Sequence, residues 1–241
     1  MTVAVITGAA SGIGAGLARE AARRGMKLVL ADRDAARLDE VAASIGDAAL
    51  AVPTDVTDPA ALQALADAAY ATHGQVDLLF NNAGVLSTGL SWEIPADRWQ
   101  MSLDVNVRGI VNALRAFVPR LIAADRPARI INTASVGGFL PAPLMAPYSA
   151  TKFAVVALTE SLAGELSMLG SKVQVSLLAP GPVKSISPMC ETSKMPTASR
   201  TALCSARMPS YWSGMCQPPK STILAPRATC RSWSGVRFNG R

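Results

Sequence analysis

The sequence predicts an α/β fold with a doubly wound parallel sheet in a single domain, on three observations. Short apolar runs alternate with longer segments whose apolar residues recur at helical spacing. A glycine-rich turn joins the first apolar run to the first helical segment. Half of the 241 residues are hydrophobic and only 17% are charged, a composition that fits a sheet buried on both faces rather than disorder.

Val3–Thr7 reads as a strand, Ile13–Arg24 as a helix and Lys27–Ala31 as the second strand. Ala35–Ser44 reads as a helix, with Leu38, Val41 and Ile45 at helical spacing, and Ala49–Pro53 as a strand. Pro59–Thr72 is a helix opened by Asp58 as N-cap and by Pro59 at its first position. Asp77–Phe80 is a strand, Ala96–Ala124 one long helix and Arg129–Thr133 a strand. Pro147–Leu169 is a helix and Val173–Ala179 the last clear strand. No internal repeat appears.

The alternation stops there, and the charge changes with it. Of 23 Lys/Arg and 17 Asp/Glu, nine bases and one acid lie in residues 184–241, leaving 14 bases and 16 acids in residues 1–183. The net charge of +6 is therefore a property of an irregular basic C-terminal tail. That tail reads either as disordered or as translated out of frame. It carries all four cysteines (Cys190, Cys204, Cys216, Cys230), whose spacing matches no zinc or C-x-x-C pattern, so no metal is expected. It has Arg and Trp but no clustered patch or motif, so no nucleic-acid partner is expected. No basic segment precedes Val3-Ala4-Val5-Ile6, and no apolar run approaches the roughly 20 residues that span a bilayer. A cytoplasmic protein with no membrane partner is expected.

Thr7-Gly8-Ala9-Ala10-Ser11-Gly12-Ile13-Gly14 lies between the first strand and the first helix. Glycines there allow a tight turn and a close approach of backbone to phosphate, and the helix N-terminus offers N–H groups to a pyrophosphate. Gly8, Ser11, Gly12, Ile13 and Gly14 are thus candidate cofactor contacts in a Rossmann-type sheet. Asp32, 24 residues after Gly8, stands where an acid bonds ribose hydroxyls and repels a 2′-phosphate, which favours NAD over NADP; the neighbouring Arg33 pulls toward NADP. Asp55, with Val56 beside it, either accepts from the adenine amine or caps a turn. Asn82, Ala83 and Gly84 close the fourth strand at the carboxyl edge, where such sheets bind ligands.

Tyr148 and Lys152 lie four residues apart, hence on one face of a helix. A phenol of pKa about 10 exchanges protons poorly at neutral pH, and a neighbouring cation should lower it. Ser135 follows the fifth strand at the same carboxyl edge, and Asn106 lies in the long helix. His73 is the only histidine; it reads as the end of a helix before a Gly stop, which argues against a Ser-His-Asp triad. Trp92 and Trp99 read as packing residues.

Thr7-Gly8-x-x-x-Gly12-x-Gly14, Asn81-Asn82-Ala83-Gly84, Asn106, Ser135, Tyr148-x-x-x-Lys152 and Pro180-Gly181-Pro182-Val183 occur in that order. Over residues 3–183 the sequence therefore resembles the short-chain dehydrogenase/reductase family. The resemblance implies a dinucleotide-binding and catalytic domain over residues 1–183, with NAD as cofactor and NADP less favoured. It implies Tyr148 as general acid/base, Lys152 lowering its pKa and binding the nicotinamide ribose, and Ser135 holding the substrate oxygen. Asn106 would fix a water in a proton relay, and Pro180, Gly181 and Val183 would sit by the nicotinamide. Val136, Phe139, Leu140, Leu86 and Met145 would line a pocket for a small hydrophobic alcohol or ketone. Phe153–Gly164 holds one charge, Glu160, so both faces of that helix read as buried. The family pairs this helix across subunits, which implies a homodimer or homotetramer. After Val183 the chain departs from the family pattern of lid, helix and last strand, so a dinucleotide-binding protein without turnover is the alternative.

Overall fold

A computed structural model describes residues 1–181. Residues 182–241 lie outside the described residues, and with them Val183, the four cysteines and both readings of the tail. The described chain runs β1 (Val3–Thr7), α1 (Gly12–Arg23), β2 (Lys27–Asp32), α2 (Ala35–Ile45), β3 (Ala49–Pro53), α3 (Pro59–His73) and β4 (Leu78–Asn81). It continues through α4 (Ala96–Leu103), a π-helical segment (Asp104–Arg108), α5 (Gly109–Ala123), β5 (Ala128–Thr133), a 3-10 turn (Val136–Gly138), α6 (Ala146–Met168) and β6 (Val173–Leu178).

The strands form one parallel sheet in the order β3-β2-β1-β4-β5-β6. Chain progression reverses between β1 and β4, the switch point outside which a ligand crevice opens at the carboxyl ends. Every β1 residue is buried, because helices cover the sheet on both sides. Ala4, Ile6, Leu28 and Leu30 pack against Ala15, Ala18, Leu38 and Val41 of α1 and α2. On the opposite face Val5, Val29, Leu79 and Ile130 meet Leu62, Leu65, Phe117, Leu121, Leu162 and Leu166 of α3, α5 and α6. The starts of the strands are tied by charge. Asp77 accepts the Val3 N–H at 2.7 Å and pairs with Arg126. Arg120 pairs with Asp67 and lies 5.3 Å from the Tyr70 ring centre.

Local signals place several boundaries. Asp58 Oδ1 accepts the Ala60 N–H at 2.8 Å and Pro59 opens α3. Gly74 closes it in a left-handed conformation, its N–H reaching Tyr70 O at 2.8 Å, so His73 is the last helical residue. Two expectations are refined. The stretch from Ala96 to Ala124 is not one uniform helix: Asp104–Arg108 winds as a π turn, which carries extra residues in a wider loop. Asn106 sits in that turn, fully buried, and its side chain bonds outside the helix. Within the single chain α6 is also not buried on both faces. Leu162 and Leu166 face the core, while Phe153 is 43% exposed and Met168 fully on the surface.

Candidate active site

The glycine loop is bound to the sheet on two sides. Gly8 has φ +68 and Gly12 φ +52. A β-carbon on Gly14 would lie 2.0 Å from Gly8 O, so the α1 N-terminus can approach β1 only through a residue without a side chain. The Thr7 hydroxyl donates to Phe80 O and accepts the N–H groups of Asn82 (3.0 Å) and Ala83 (3.2 Å). The Asn82 amide donates back to Thr7 O at 3.1 Å and toward Gly8 O at 3.4 Å. Asn82 therefore braces the loop with its side chain. Ser11 is the N-cap of α1, but its hydroxyl makes no capping bond, which leaves it and the first-turn N–H groups of Ile13 and Gly14 for an anion.

Asp32 is the last residue of β2, and its carboxylate accepts Ala10 N–H at 3.1 Å and Asp34 N–H at 3.0 Å. Through these bonds it holds the glycine loop to the end of β2. Arg33 is exposed and forms no ion pair among the described residues. Asp55 Oδ1 accepts both the N–H (2.8 Å) and the hydroxyl (2.8 Å) of Thr57, the turn-capping alternative. Val56 is buried against the space a Gly109 side chain would fill.

Asn106, Ser135, Tyr148 and Lys152 meet beside Gly84. The Asn106 Oδ1 accepts Val85 N–H at 2.7 Å, and its amide donates to Val85 O (2.9 Å) and to the Thr151 hydroxyl (2.9 Å). Both amide donors are thus spent on protein. The side chain clamps the Gly84–Val85 backbone to α6. A β-carbon on Gly84 would stand 3.3 Å from Asn106 Oδ1 and 3.5 Å from Lys152 Nζ.

Lys152 is 3% exposed and donates to Thr133 O at 2.8 Å. Burial pushes its pKa down to about 8. Its Nζ lies 5.6 Å from the Tyr148 ring centre. Burial raises the Tyr148 pKa, against which the Ser135 hydroxyl works through a hydrogen bond. The direction is opposite to that expected from the cation, because the ammonium is turned to a carbonyl and the phenol is desolvated. Ser135 Oγ accepts the Gly137 N–H at 3.1 Å, which leaves its own proton for the Tyr148 oxygen or for a substrate oxygen beside it. Pro180 O accepts Val136 N–H at 3.1 Å, holding Pro180–Gly181 against the Ser135 loop.

Of the expected substrate wall, Leu86, Val136, Leu140 and Met145 are half-buried and Phe139 is 48% exposed. The two wall segments are joined where Gly89 N–H donates to Leu144 O at 2.9 Å. Thr151, Thr133 and Gly137 had not been singled out from sequence. Thr151 is fully buried, bonds Tyr148 O at 2.7 Å and receives Asn106. A hydroxyl inside the Tyr148–Lys152 turn was the available signal.

An open parallel sheet with a glycine loop and a polar cluster at its switch point defines a Rossmann-like α/β protein. The profile of the short chain dehydrogenase family matches residues 2–195, and the chain belongs to that family. It is 42% identical over 188 residues to a 1-deoxy-11-beta-hydroxypentalenate dehydrogenase of Streptomyces avermitilis, covering 76% of this chain and 68% of that protein. Among solved structures it is similar to a short chain dehydrogenase/reductase from Burkholderia phymatum in complex with NAD, at 41% identity and TM-score 0.75, covering 91% of this chain and 74% of the other. A 3-ketoacyl-(acyl-carrier-protein) reductase from Brucella melitensis complexed with NADH gives 38% identity and TM-score 0.74, covering 78% and 77%. No helix among the described residues is long and apolar enough to cross a membrane.

Proposed function

We propose that the protein is an NAD-dependent oxidoreductase acting on a secondary alcohol or ketone of small to medium size and apolar character. The observation that carries this reading is the convergence of Ser135, Tyr148 and Lys152 at the carboxyl edge, beside the Gly84 backbone and next to the glycine loop. The residues present fit a dinucleotide. Gly8 and Gly14 let the loop and the α1 N-terminus seat tightly against the sheet, Ser11 keeps a free hydroxyl at that helix N-terminus, and Asp32 sets a carboxylate at the end of β2. The nicotinamide, when bound, supplies or accepts the hydride.

The chain's own groups handle the proton. Tyr148 donates its phenolic proton to the carbonyl oxygen in reduction and removes it from the alcohol in oxidation. Ser135, already accepting from Gly137 N–H, donates its own proton toward the same oxygen as charge grows there. Lys152 would hold ribose hydroxyls together with Tyr148. With its ammonium turned from Thr133 O toward such hydroxyls, Lys152 would bring its charge to bear on the phenol. Asn106 and Thr151 position these groups and touch no substrate.

The exposed face of α6 supports a homo-oligomer formed by packing α6 against its copy. Phe153 is 43% exposed there, and Gly164 has nothing within 4 Å of the place a β-carbon would take.

Titration with NADH followed by fluorescence, then NAD-linked oxidation of a panel of secondary alcohols followed at the nicotinamide absorbance, tests the reading. Cofactor binding with turnover abolished by Tyr148→Phe is expected. Cofactor binding with no turnover across the panel would instead make the protein a dinucleotide binder, and failure to bind NADH would sink both.

A further inference from the structure

Gly137 and Gly138 follow Ser135 in the 3-10 turn that faces α6, and the structure gives them different reasons to lack a side chain. A β-carbon on Gly138 would stand 2.7 Å from Lys152 O and 3.0 Å from Lys152 C. Both are backbone atoms of α6, so the turn could not seat against the helix. Gly138 is fixed by packing.

Gly137 has no such reason. Its φ is not among the positive values in the chain, so any L-residue can adopt its backbone. A β-carbon there would lie 3.5 Å from Tyr148 Cε1, 3.6 Å from Ser135 Oγ and 3.7 Å from Tyr148 Cδ1. These are ordinary contact distances. Glycine also loses more freedom on folding than any other residue, so its use at an undemanding position runs against stability. All three near atoms belong to the two side chains proposed to hold the substrate oxygen. The space a side chain would take there is therefore beside the Tyr148 ring and the Ser135 hydroxyl and not inside the core.

We infer that Gly137 determines substrate size: its missing side chain keeps open the space beside the Tyr148 ring and the Ser135 hydroxyl, where the larger substituent of a cyclic or branched ketone or secondary alcohol fits. The inference rests on the reading of Ser135 and Tyr148 as the pair that holds the substrate oxygen. An apolar group would suit the wall expected from the sequence, in which Leu86, Leu140 and Met145 are half-buried and Phe139 is partly exposed. Gly137 also donates its N–H to Ser135 Oγ at 3.1 Å. That bond is made by backbone, so a side chain can be added without removing it.

The test compares wild type, Gly137→Ala and Gly137→Val on acetone and cyclohexanone with NADH. Three readouts are taken: kcat/KM for each ketone, the Kd of NADH, and the Kd of cyclohexanone for the unreactive complex with NAD. Gly137→Val should lose about 10-fold or more in kcat/KM on cyclohexanone relative to acetone, the scale of a methyl-sized change in an apolar site. Gly137→Ala should fall between, with the NADH Kd unchanged in both. Equal losses on the two ketones, no loss on either, or an NADH Kd that weakens in step with turnover would overturn the inference. Should wild type reduce neither ketone, the unreactive complex decides. Cyclohexanone binding that is present in wild type and lost in Gly137→Val upholds the size role while removing the proposed activity. Wild type that fails to bind cyclohexanone overturns the size role.

Discussion

The two edges of the same sheet treat positive charge in opposite ways. At the amino edge Arg126 is paired with Asp77, which also accepts the Val3 N–H, and Arg120 is paired with Asp67. These ion pairs sit where strands begin and helices end, half open to water. At the carboxyl edge Lys152 is more deeply buried than any of them, yet no carboxylate pairs with it among the described residues; its one partner is the Thr133 carbonyl. A paired cation at the surface is structure. A buried cation without a counter-ion costs stability and has a pKa pulled toward neutrality, the signature of a group kept for chemistry. That contrast agrees with the carboxyl edge as the end proposed for chemistry.

The largest effect that tests this contrast is on turnover. Tyr148→Phe removes the proton at the carboxyl edge and should lower kcat by about 10²–10⁴-fold with the melting temperature nearly unchanged. A variant that keeps more than a tenth of wild-type kcat would move the acid/base role elsewhere.

Lys152 gives the contrast a pH signature. Below pH about 8 both folded and unfolded chains hold its proton. Between about 8 and the unfolded value of 10.5 the unfolded chain keeps a proton the folded protein has lost, so stability rises with pH. Measured by denaturant unfolding against Lys152→Met, wild type should gain on the order of 3 kcal/mol relative to the variant across that window. A difference that stays flat would mean that the ammonium is not desolvated.

Arg126→Met cuts the pair at the opposite edge. It should cost about 1–3 kcal/mol of unfolding free energy and leave kcat of the folded protein within twofold. A large loss of kcat at full stability would erase the distinction between the edges.

Thr151→Val removes a hydroxyl that receives Asn106 and bonds Tyr148 O. A fall in kcat of about 10-fold is expected, with Thr151→Ser restoring most of it; equal losses in both variants would show that volume, not the bond, matters. The smallest effect belongs to neither edge. Gly164→Ala should add up to about 1 kcal/mol to α6 if its exposed face meets only water. In sedimentation it should weaken self-association if that face packs on a second copy, and unaltered association would exclude Gly164 from the contact.

Much of this was legible in the sequence because the signals were local. Alternating period gave every described strand to within a residue at either end, and Asp58-Pro59 and Gly74 marked the ends of α3 through bonds that involve only neighbours. The four polar residues of the site were legible for the same reason: each is tied to a strand end or to one helix face. What escaped depended on contacts far along the chain. Nothing local shows that Asn106 would spend its amide on Val85 and Thr151, or that Lys152 would turn to Thr133 O and leave the phenol raised by burial. The apolar composition of α6 records that a face wants burial, not whether its own chain supplies the cover; within one chain that face stays exposed.

The π turn at Asp104–Arg108 has a consequence for how this chain could vary. A widened turn is what one residue too many looks like inside a helix, and it advances everything after it by about 100° relative to everything before. Ser102 and Phe117, on either side of the turn, are both buried. Deleting one residue here would give a smoother helix and a worse protein: the face of α5 that packs on α3 would swing away from it, and Asn106 would leave the Gly84–Val85 backbone it clamps. The irregular turn works as a phase adjuster, and the fold tolerates a substitution there far better than a change in length.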